Sequence, residues 1–414
     1  MPLGSRASRS DLTGRTLPGT QSVLPRAIAI FHADPRDSAV HKKLIELDSL
    51  RALMAFAVFV SHAQFLSGTE IWSLSLGGIA VTVFIMLSGF AITKSLVGST
   101  ATYRQYLARR FWRIYPAYLI GLLLGLCVSW HTPDLLQHLG WVHAPSVARI
   151  AQRTAGEHAL FWPHLGAHLV LLHGAIPDAV LYGSALTFNS PAWSLSLEWQ
   201  FYLLAPAIIA LVQASLRLPL AGRLIACVLT LLVLIYVRAA LAPWYDQVPS
   251  FLPQQLIFFL VGILSALRLE WAVATRTRLL ACSAALVLLG VALGDRTAVL
   301  ATGLWTLTLA SCAHTAPAWL LPVRRALSMP RLVLAGEASY SFYIIHEPLM
   351  LAAADLIHRA WPTRSHHGFE LALLLTVVPI GAIAWLMFTR IEMPINRWAR
   401  AQFHGTRTAA AAAA

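Results

Sequence analysis

The chain has 414 residues, 57% hydrophobic and only 12% charged, with a formal net charge of +13. A soluble globular protein carries roughly 25% charged residues, so this composition excludes a water-soluble domain, and it excludes disorder over most of the length. Four cysteines (Cys127, Cys227, Cys282, Cys312), each in an apolar stretch and without CxxC or His/Cys ligand spacing, exclude a disulfide-stapled secreted domain.

What remains is an all-α, polytopic integral membrane protein. The Lys and Arg excess then belongs to cytoplasmic loops, and no nucleic-acid partner is expected. Residues 1–44 are rich in Arg, Ser, Gly and Pro and read as a disordered basic cytoplasmic tail. Their start superficially resembles a transit peptide, and an overlong gene start is the plainer alternative. No signal peptide is read, because the first apolar run begins too far in and further spans follow. A bilayer core of about 30 Å needs ~20 mostly apolar residues per helix. Ten stretches qualify: 50–66, 76–97, 112–130, 196–215, 222–242, 254–270, 279–294, 297–314, 333–357 and 369–390. The stretch 158–176 holds His158, His164, His168, His173 and Pro163, and reads as interfacial or periplasmic.

Charge tests the count. With the N-terminus inside, 24 Lys and Arg fall on cytoplasmic segments and five on outside loops, while Arg51 and Arg238 lie within spans. This asymmetry fits ten helices with both termini cytoplasmic, and an eleventh span would invert every later loop. The expected organisation is a tail over 1–44, a membrane domain over 45–395 with a large periplasmic loop in 131–195, and a short cytoplasmic tail over 396–414. The run from Thr408 to Ala414 is of low complexity, and there is no internal repeat.

Strongly polar side chains inside spans are costly, so each is a functional candidate. The first span carries Asp48 and Arg51, then His62 eleven residues later. Eleven residues at 100° each bring the two side chains to within about 20° of one face. A rise of 1.5 Å per residue sets them ~16 Å apart. Two readings stand equally: a cradle for an extended substrate with its anionic end at Arg51, or an ordinary anchor plus an interfacial histidine. The third span opens with Arg110 and Arg113, an i, i+3 pair suited to phosphate; a stop-transfer charge cluster is the commoner reason for such residues. The fourth carries Trp193 and Glu198. Glu198 is expected at the depth of His62, where a His–Glu pair would offset the cost of both; a structural Arg or periplasmic water is the alternative partner. The ninth carries Ser339, Tyr340, His346 and Glu347. Ser88 and Gly89 lie mid-span in the second, where the glycine is expected to allow close helix approach. The seven histidines from His131 to His173 repeat no ligand pattern, and no metal is expected. The layout places arginines at the inner edge and ionisable groups in the outer half. An anionic cofactor entering from the cytoplasm and general-base catalysis on a hydroxyl follow from it.

At this point the chain resembles membrane-bound acyltransferase family 3, which acylates bacterial polysaccharides, Nod factors and macrolides. The likeness spans about residues 44–398. It rests on Leu47-Asp48-Ser49-Leu50-Arg51 through His62, on Phe84 to Phe90, on Arg110-Phe-Trp-Arg113 with Tyr115-Pro116, on Trp193 to Glu198 with Phe201-Tyr202, on Ser339-Tyr340 through Tyr343 to His346, and on Ile391-Glu392-Met393-Pro394. Ser49 and Ala52 stand where the family often has Gly, and Trp199 where it often has an acidic residue. Nothing long enough for a fused periplasmic hydrolase domain follows residue 395, so a standalone form is expected.

The resemblance implies an O-acyltransferase of the bacterial inner membrane. It implies acyl-CoA, usually acetyl-CoA, as co-substrate and no metal. The acceptor would be a carbohydrate, either a polysaccharide (as in exopolysaccharide biosynthesis) or a lipid-linked glycan, reached among membrane lipid. His62, Glu198 and His346 are expected to be catalytic, with Glu198 orienting His62. Arg51, Arg110 and Arg113 are expected to hold the cofactor. Asp48, Ser88, Trp193, Ser339, Tyr340 and Glu347 are expected to bind substrate or support the site. The competing readings are a transporter or flippase of a lipid-linked glycan, and an acyltransferase of a small secreted glycosylated molecule such as a macrolide.

Overall fold

The computed structural model describes residues 44–69, 76–313 and 315–403. Most of both expected tails lies outside them. Among the described residues the chain is helical without strands.

The helices in chain order are α1 (Ile45–Ser67), α2 (Leu76–Leu96), α3 (Tyr103–Val128), α4 (Thr132–Leu139), α5 (Ala144–Ala159), α6 (Phe161–Leu169), α7 (Trp193–Ser215), α8 (Leu220–Leu241) and α9 (Leu252–Val273). There follow α10 (Arg276–Ala292), α11 (Arg296–Cys312), α12 (Leu321–Leu327), α13 (Pro330–Glu337), α14 (Ser339–Ala360), α15 (His366–Leu375), α16 (Val377–Met387) and α17 (Met393–Gln402). Seven helical segments are long and apolar enough to cross a membrane, among the described residues. Three of the ten expected spans are not among them. The stretches 279–294 and 297–314 fold as α10 and α11, each only 17 residues long. The stretch 333–357 divides between α13 and α14; α14 is long enough but is interrupted by His346, Glu347 and Asp355. The segment 131–195 is not an open loop: it folds into α4, α5, α6 and short 3-10 turns.

The core is built around α2, which packs on α1, α7, α9 and α11. Small residues permit this. A Cβ on Gly89 would run into the Phe259 carbonyl, and one on Gly262 into the Met86 carbonyl. The two backbones therefore touch at reciprocal glycines, the packing that lipid-embedded helices use in place of a hydrophobic driving force. Gly262→Ala is expected to cost about 1–3 kcal/mol by overpacking. Thermal unfolding in detergent checks this, and an unchanged midpoint would contradict the contact. By contrast α8 buries no residue and offers its apolar surface outward.

Local chemistry sets the elements that frame the site. A capping box starts α3: Gln105 N donates to Thr102 Oγ1 at 3.3 Å, and Thr102 N donates to Gln105 Oε1 at 2.9 Å. It fixes the register of the arginines two turns on. Pro348 lies inside α14 and has no N–H for the Ile344 carbonyl. Asn189 Nδ2 supplies the missing donor at 2.9 Å, which ties the segment before α7 to α14. Near the C-terminus a π-helical turn, Phe388–Glu392, turns Glu392 into the core, where it is 2% exposed. Residues 396–402, expected in the cytoplasmic tail, instead complete α17, which packs against α3.

Candidate functional site

Of the cavities that touch α1, two lie one near each of its ends. The larger, about 670 Å³, takes Asp48 and Arg51 from α1, Ser88 from α2, Arg110 and Arg113 from α3, and Glu198 and Tyr202 from α7. Ser339, Tyr340 and Tyr343 of α14 and Arg397 and Arg400 of α17 complete it. We call this the basic end. The other cavity, about 290 Å³, holds His62 and Glu347, with Ser190, Ser129, Arg153 and Glu157 around them. We call this the distal end. Both are of the size of small-molecule sites.

At the basic end five guanidinium groups line one cavity, and three of them are placed by different devices. Arg51 pairs with Asp48 at 3.7 Å, one turn back on α1. Arg110 bonds Ser95 and lies over the rings of Tyr106 and Tyr202, 5.7 and 5.8 Å from their centroids. Arg113 is bonded to Glu392, which in turn accepts from Ser341 Oγ at 2.7 Å. It also sits over the Tyr340 ring, whose hydroxyl donates to the Ile114 carbonyl at 2.5 Å. Ser339 donates to the Gly336 carbonyl at 2.7 Å and so joins α13 to α14. Arg397 and Arg400, at i and i+3, were missed by sequence reasoning. A charged C-terminal helix looks like a positive-inside tail until it is seen folding back over a cavity. Glu392 stands in the Ile391-to-Pro394 motif, and only the fold brings it to Arg113 and Ser341.

The distal end corrects one expectation outright. The carboxylate beside His62 is Glu347, not Glu198: His62 Nδ1 lies 3.5 Å from Glu347 Oε1. Glu347 Oε2 accepts from the Ser190 backbone N–H at 2.8 Å. Glu198 lines the basic-end cavity, where Ser88 Oγ donates to it at 2.9 Å and Tyr202 OH at 2.5 Å. The reason is helix register. Ser190 is anchored at the distal end by Glu347, and Glu198 follows eight residues later, about 12 Å further toward the basic end. His346 is fully buried and lines neither cavity; its Nδ1 lies 2.7 Å from the Tyr343 carbonyl and its ring stands edge-on to His62 at 5.1 Å. Trp193 opens α7 as a half-buried packing residue and lines neither cavity.

Between the cavities stands Tyr343. Its hydroxyl is 2.8 Å from Ser194 Oγ and donates to the Pro191 carbonyl at 3.1 Å. On one side its ring meets Phe84, which lines the basic-end cavity, at 5.6 Å. On the other it meets His346, the neighbour of His62, at 5.8 Å.

Three histidines of the segment before α7, His164, His168 and His173, are buried. Among the described residues no three His, Cys, Asp or Glu side chains gather as a metal site would need. His168 and His173 stack at 3.8 Å, and Tyr118 OH joins them through His168 Nδ1 at 3.0 Å. Burial pushes His173 down to about 3 and His164 down to about 4, and holds His168 well below the usual imidazole range. The unfolded chain protonates these rings near 6.5, whereas the folded chain resists. The unfolded state therefore binds more protons between about pH 4 and 6.5, and stability falls as the pH drops through that window. Denaturation at pH 7 and pH 5 is expected to show the loss. The dependence is expected to shrink in His164→Leu, because neither buried ring nitrogen of His164 has a hydrogen-bond partner. An identical pH profile for that variant would count against this assignment.

Comparison with known proteins decides the family. Residues 44–389 match the model described as the acyltransferase domain of acyltransferase family 3. The chain belongs to this family of membrane O-acyltransferases. It is 27% identical over 395 residues to acyltransferase MdmB of Streptomyces mycarofaciens, covering 86% of this chain and 92% of that protein. It is 26% identical over 394 residues to nodulation protein 10 of Rhizobium leguminosarum bv. viciae, covering 84% and 93%. Over 178 residues it is 28% identical to peptidoglycan O-acetyltransferase OatA of Listeria monocytogenes, covering 41% of this chain but only 24% of that longer protein. No solved structure matches the chain.

Proposed function

We propose that this family member transfers an acyl group, acetyl as the simplest case, from acyl-CoA to a hydroxyl of a cell-surface or exported carbohydrate, with His62 as general base. The carrying observation is the pair of cavities separated by Tyr343: arginines on one side, a His–Glu pair on the other. Coenzyme A is a phosphate-bearing anion with an extended arm. Arg51, Arg110, Arg397 and Arg400 suit its phosphates, with Arg113 held by Glu392 at the cavity wall. The ~16 Å from Arg51 to His62 along α1 is of the order of the pantetheine arm. The thioester then lies at Tyr343 and the acceptor enters from the distal end.

The step balances. His62 takes the hydroxyl proton as the acceptor oxygen attacks the thioester carbonyl. The carbon–sulfur bond breaks, and the CoA thiolate leaves and takes up a proton. Glu347 orients the imidazole and stabilises the imidazolium that forms. His346, buried behind it, positions the ring, and Glu198 with Ser88 and Tyr202 shapes the donor cavity. The Lys and Arg asymmetry supports a basic end facing the cytoplasm of a bacterial inner membrane, the side on which acyl-CoA is found.

The first test is CoA release from acetyl-CoA by the purified protein, together with NMR of ester-linked acyl groups on the surface and secreted glycans of a strain lacking the gene. Release of CoA and a missing ester signal restored by the wild-type gene are expected. Unchanged acetyl-CoA together with loss of the whole glycan would make it a transporter of that glycan instead.

A further inference from the structure

The distal-end cavity contains more than His62 and Glu347, and its remaining lining points to a ligand. Arg153 of α5 faces this cavity. Among the described residues its guanidinium makes no hydrogen bond and no ion pair. A guanidinium held at a cavity wall with five unspent donors is a recognition element. Its position is imposed rather than incidental. Gly183 is in the left-handed region at φ +66°, and a Cβ there would come within 2.7 Å of Arg153 Cγ. The arginine stem thus lies flat on the backbone of a neighbouring turn.

One helical turn on, Glu157 is 1% exposed, and its Oε1 accepts from Ser129 Oγ at 2.8 Å. Donors from Arg153 and acceptors from Glu157 and Glu347 therefore ring one space, with Ser61, Thr132 and Ser190 hydroxyl or amide groups at its edge. The apolar wall is strained. Phe188 lines the cavity at φ +60°, although it is neither glycine nor asparagine. It is held there by the close approach of its carbonyl to Gly125 and by its neighbour Asn189, which is bonded to Ile344. A bulky residue in the left-handed region persists only where the surroundings over-determine it, and such strain clusters at ligand sites.

The charge balance names the ligand class. The lining carries two carboxyl groups, Glu157 and Glu347, against one guanidinium, Arg153. An anionic acceptor would lie among acidic groups that outnumber the guanidinium, at a cost that a low-dielectric cavity magnifies. A neutral polyol has no such cost, and its vicinal hydroxyls can both accept from Arg153 and donate to Glu157. We propose that Arg153 and Glu157 form the acceptor subsite of the enzyme and that the ring they hold is a neutral sugar, free of carboxylate, phosphate or sulfate, gripped by adjacent hydroxyls beside the face of Phe188. This rests on the acyl-transfer reading above only for which hydroxyl reacts; the binding claim stands by itself.

The test is direct binding of methyl β-glucoside, β-galactoside and α-mannoside, and of methyl β-glucuronide, to the full-length protein in nanodiscs. Saturation-transfer NMR provides the readout, followed by transfer from radiolabelled acetyl-CoA. At least one neutral glycoside is expected to bind, and more tightly than the glucuronide. Arg153→Gln is expected to weaken it about tenfold or more, the scale of losing hydrogen bonds from a charged donor. Gly183→Ala, which displaces the same side chain from another element, is expected to act in the same direction. The Michaelis constant for acetyl-CoA is expected to stay within about twofold in both, since a charged-donor contact is lost only on the acceptor side. No binding of any neutral glycoside overturns the proposal, as does tighter binding of the glucuronide that Arg153→Gln abolishes. Equal losses for donor and glycoside also overturn it, by showing that Arg153 supports only the fold. Neutral glycosides that bind through Arg153 without receiving an acyl group uphold the subsite and overturn the acyl-transfer reading.

Discussion

Replacing His62 with Ala is expected to lower acyl transfer by about 10²–10⁴-fold, the range that a positioned general base supplies. The loss is expected in kcat, with acyl-CoA binding unchanged, because His62 belongs to the distal cavity and Arg51, Arg110, Arg113, Arg397 and Arg400 to the other. Glu347→Gln separates orientation from basicity. Its amide keeps the shape but not the charge opposite His62 Nδ1, 3.5 Å away. A smaller fall in kcat than for His62→Ala is expected, with the Michaelis constant for acyl-CoA unchanged. Glu198→Gln is expected instead to raise the Michaelis constant for acyl-CoA, because Ser88 and Tyr202 hold that carboxylate on the donor side. The contrast is the decisive part. If Glu198→Gln lowered kcat and Glu347→Gln changed only the Michaelis constant for acyl-CoA, the pairing seen at the distal end would not be the catalytic one.

The second large effect concerns stability. Glu392 is 2% exposed and bonded to Arg113 and Ser341. Truncating Glu392 leaves Arg113 uncompensated; because that side chain is 31% exposed at the cavity wall, the cost falls below the ~3–5 kcal/mol of a fully buried pair. Glu392→Ala is therefore expected to lower the unfolding midpoint and, in protein that survives, to raise the Michaelis constant for acyl-CoA as Arg113 loses its anchor. The double variant Arg113→Met with Glu392→Met is expected to recover most of the stability, because apolar residues of similar volume often replace such pairs without loss. It is not expected to recover donor binding. Equal midpoints for Glu392→Ala and the wild type would show that the pair is not stabilising. Recovery of donor binding in the double variant would remove Arg113 from the cofactor's surroundings.

These two experiments address features that were not equally readable from the chain. The sequence by itself determined the membrane class, because composition fixes which solvent the surface can tolerate. It also determined whatever depends on one helix alone. The common face and spacing of Arg51 and His62 follow from a fixed rotation and rise, as do the neighbouring positions of Arg110 and Arg113. Gly89 was legible as a close-approach residue, and it meets the backbone of α9 at Phe259.

What only the tertiary structure decided is how one helix slides against another. The depth of Glu198 is not legible in the sequence, because a residue's distance from its own helix end says nothing about the level at which that end is pinned. Here Ser190 is pinned to Glu347, and Glu198 is carried past His62 to the arginines. The same limit hid Arg153 and Glu157, which lie on α5 in a segment that reads as a loop. It also hid Arg397 and Arg400, which read as a tail. Charge patterns report which side of a membrane a segment faces. Whether that segment then folds back to close a cavity is set by packing among residues far apart in the chain. No local periodicity records it.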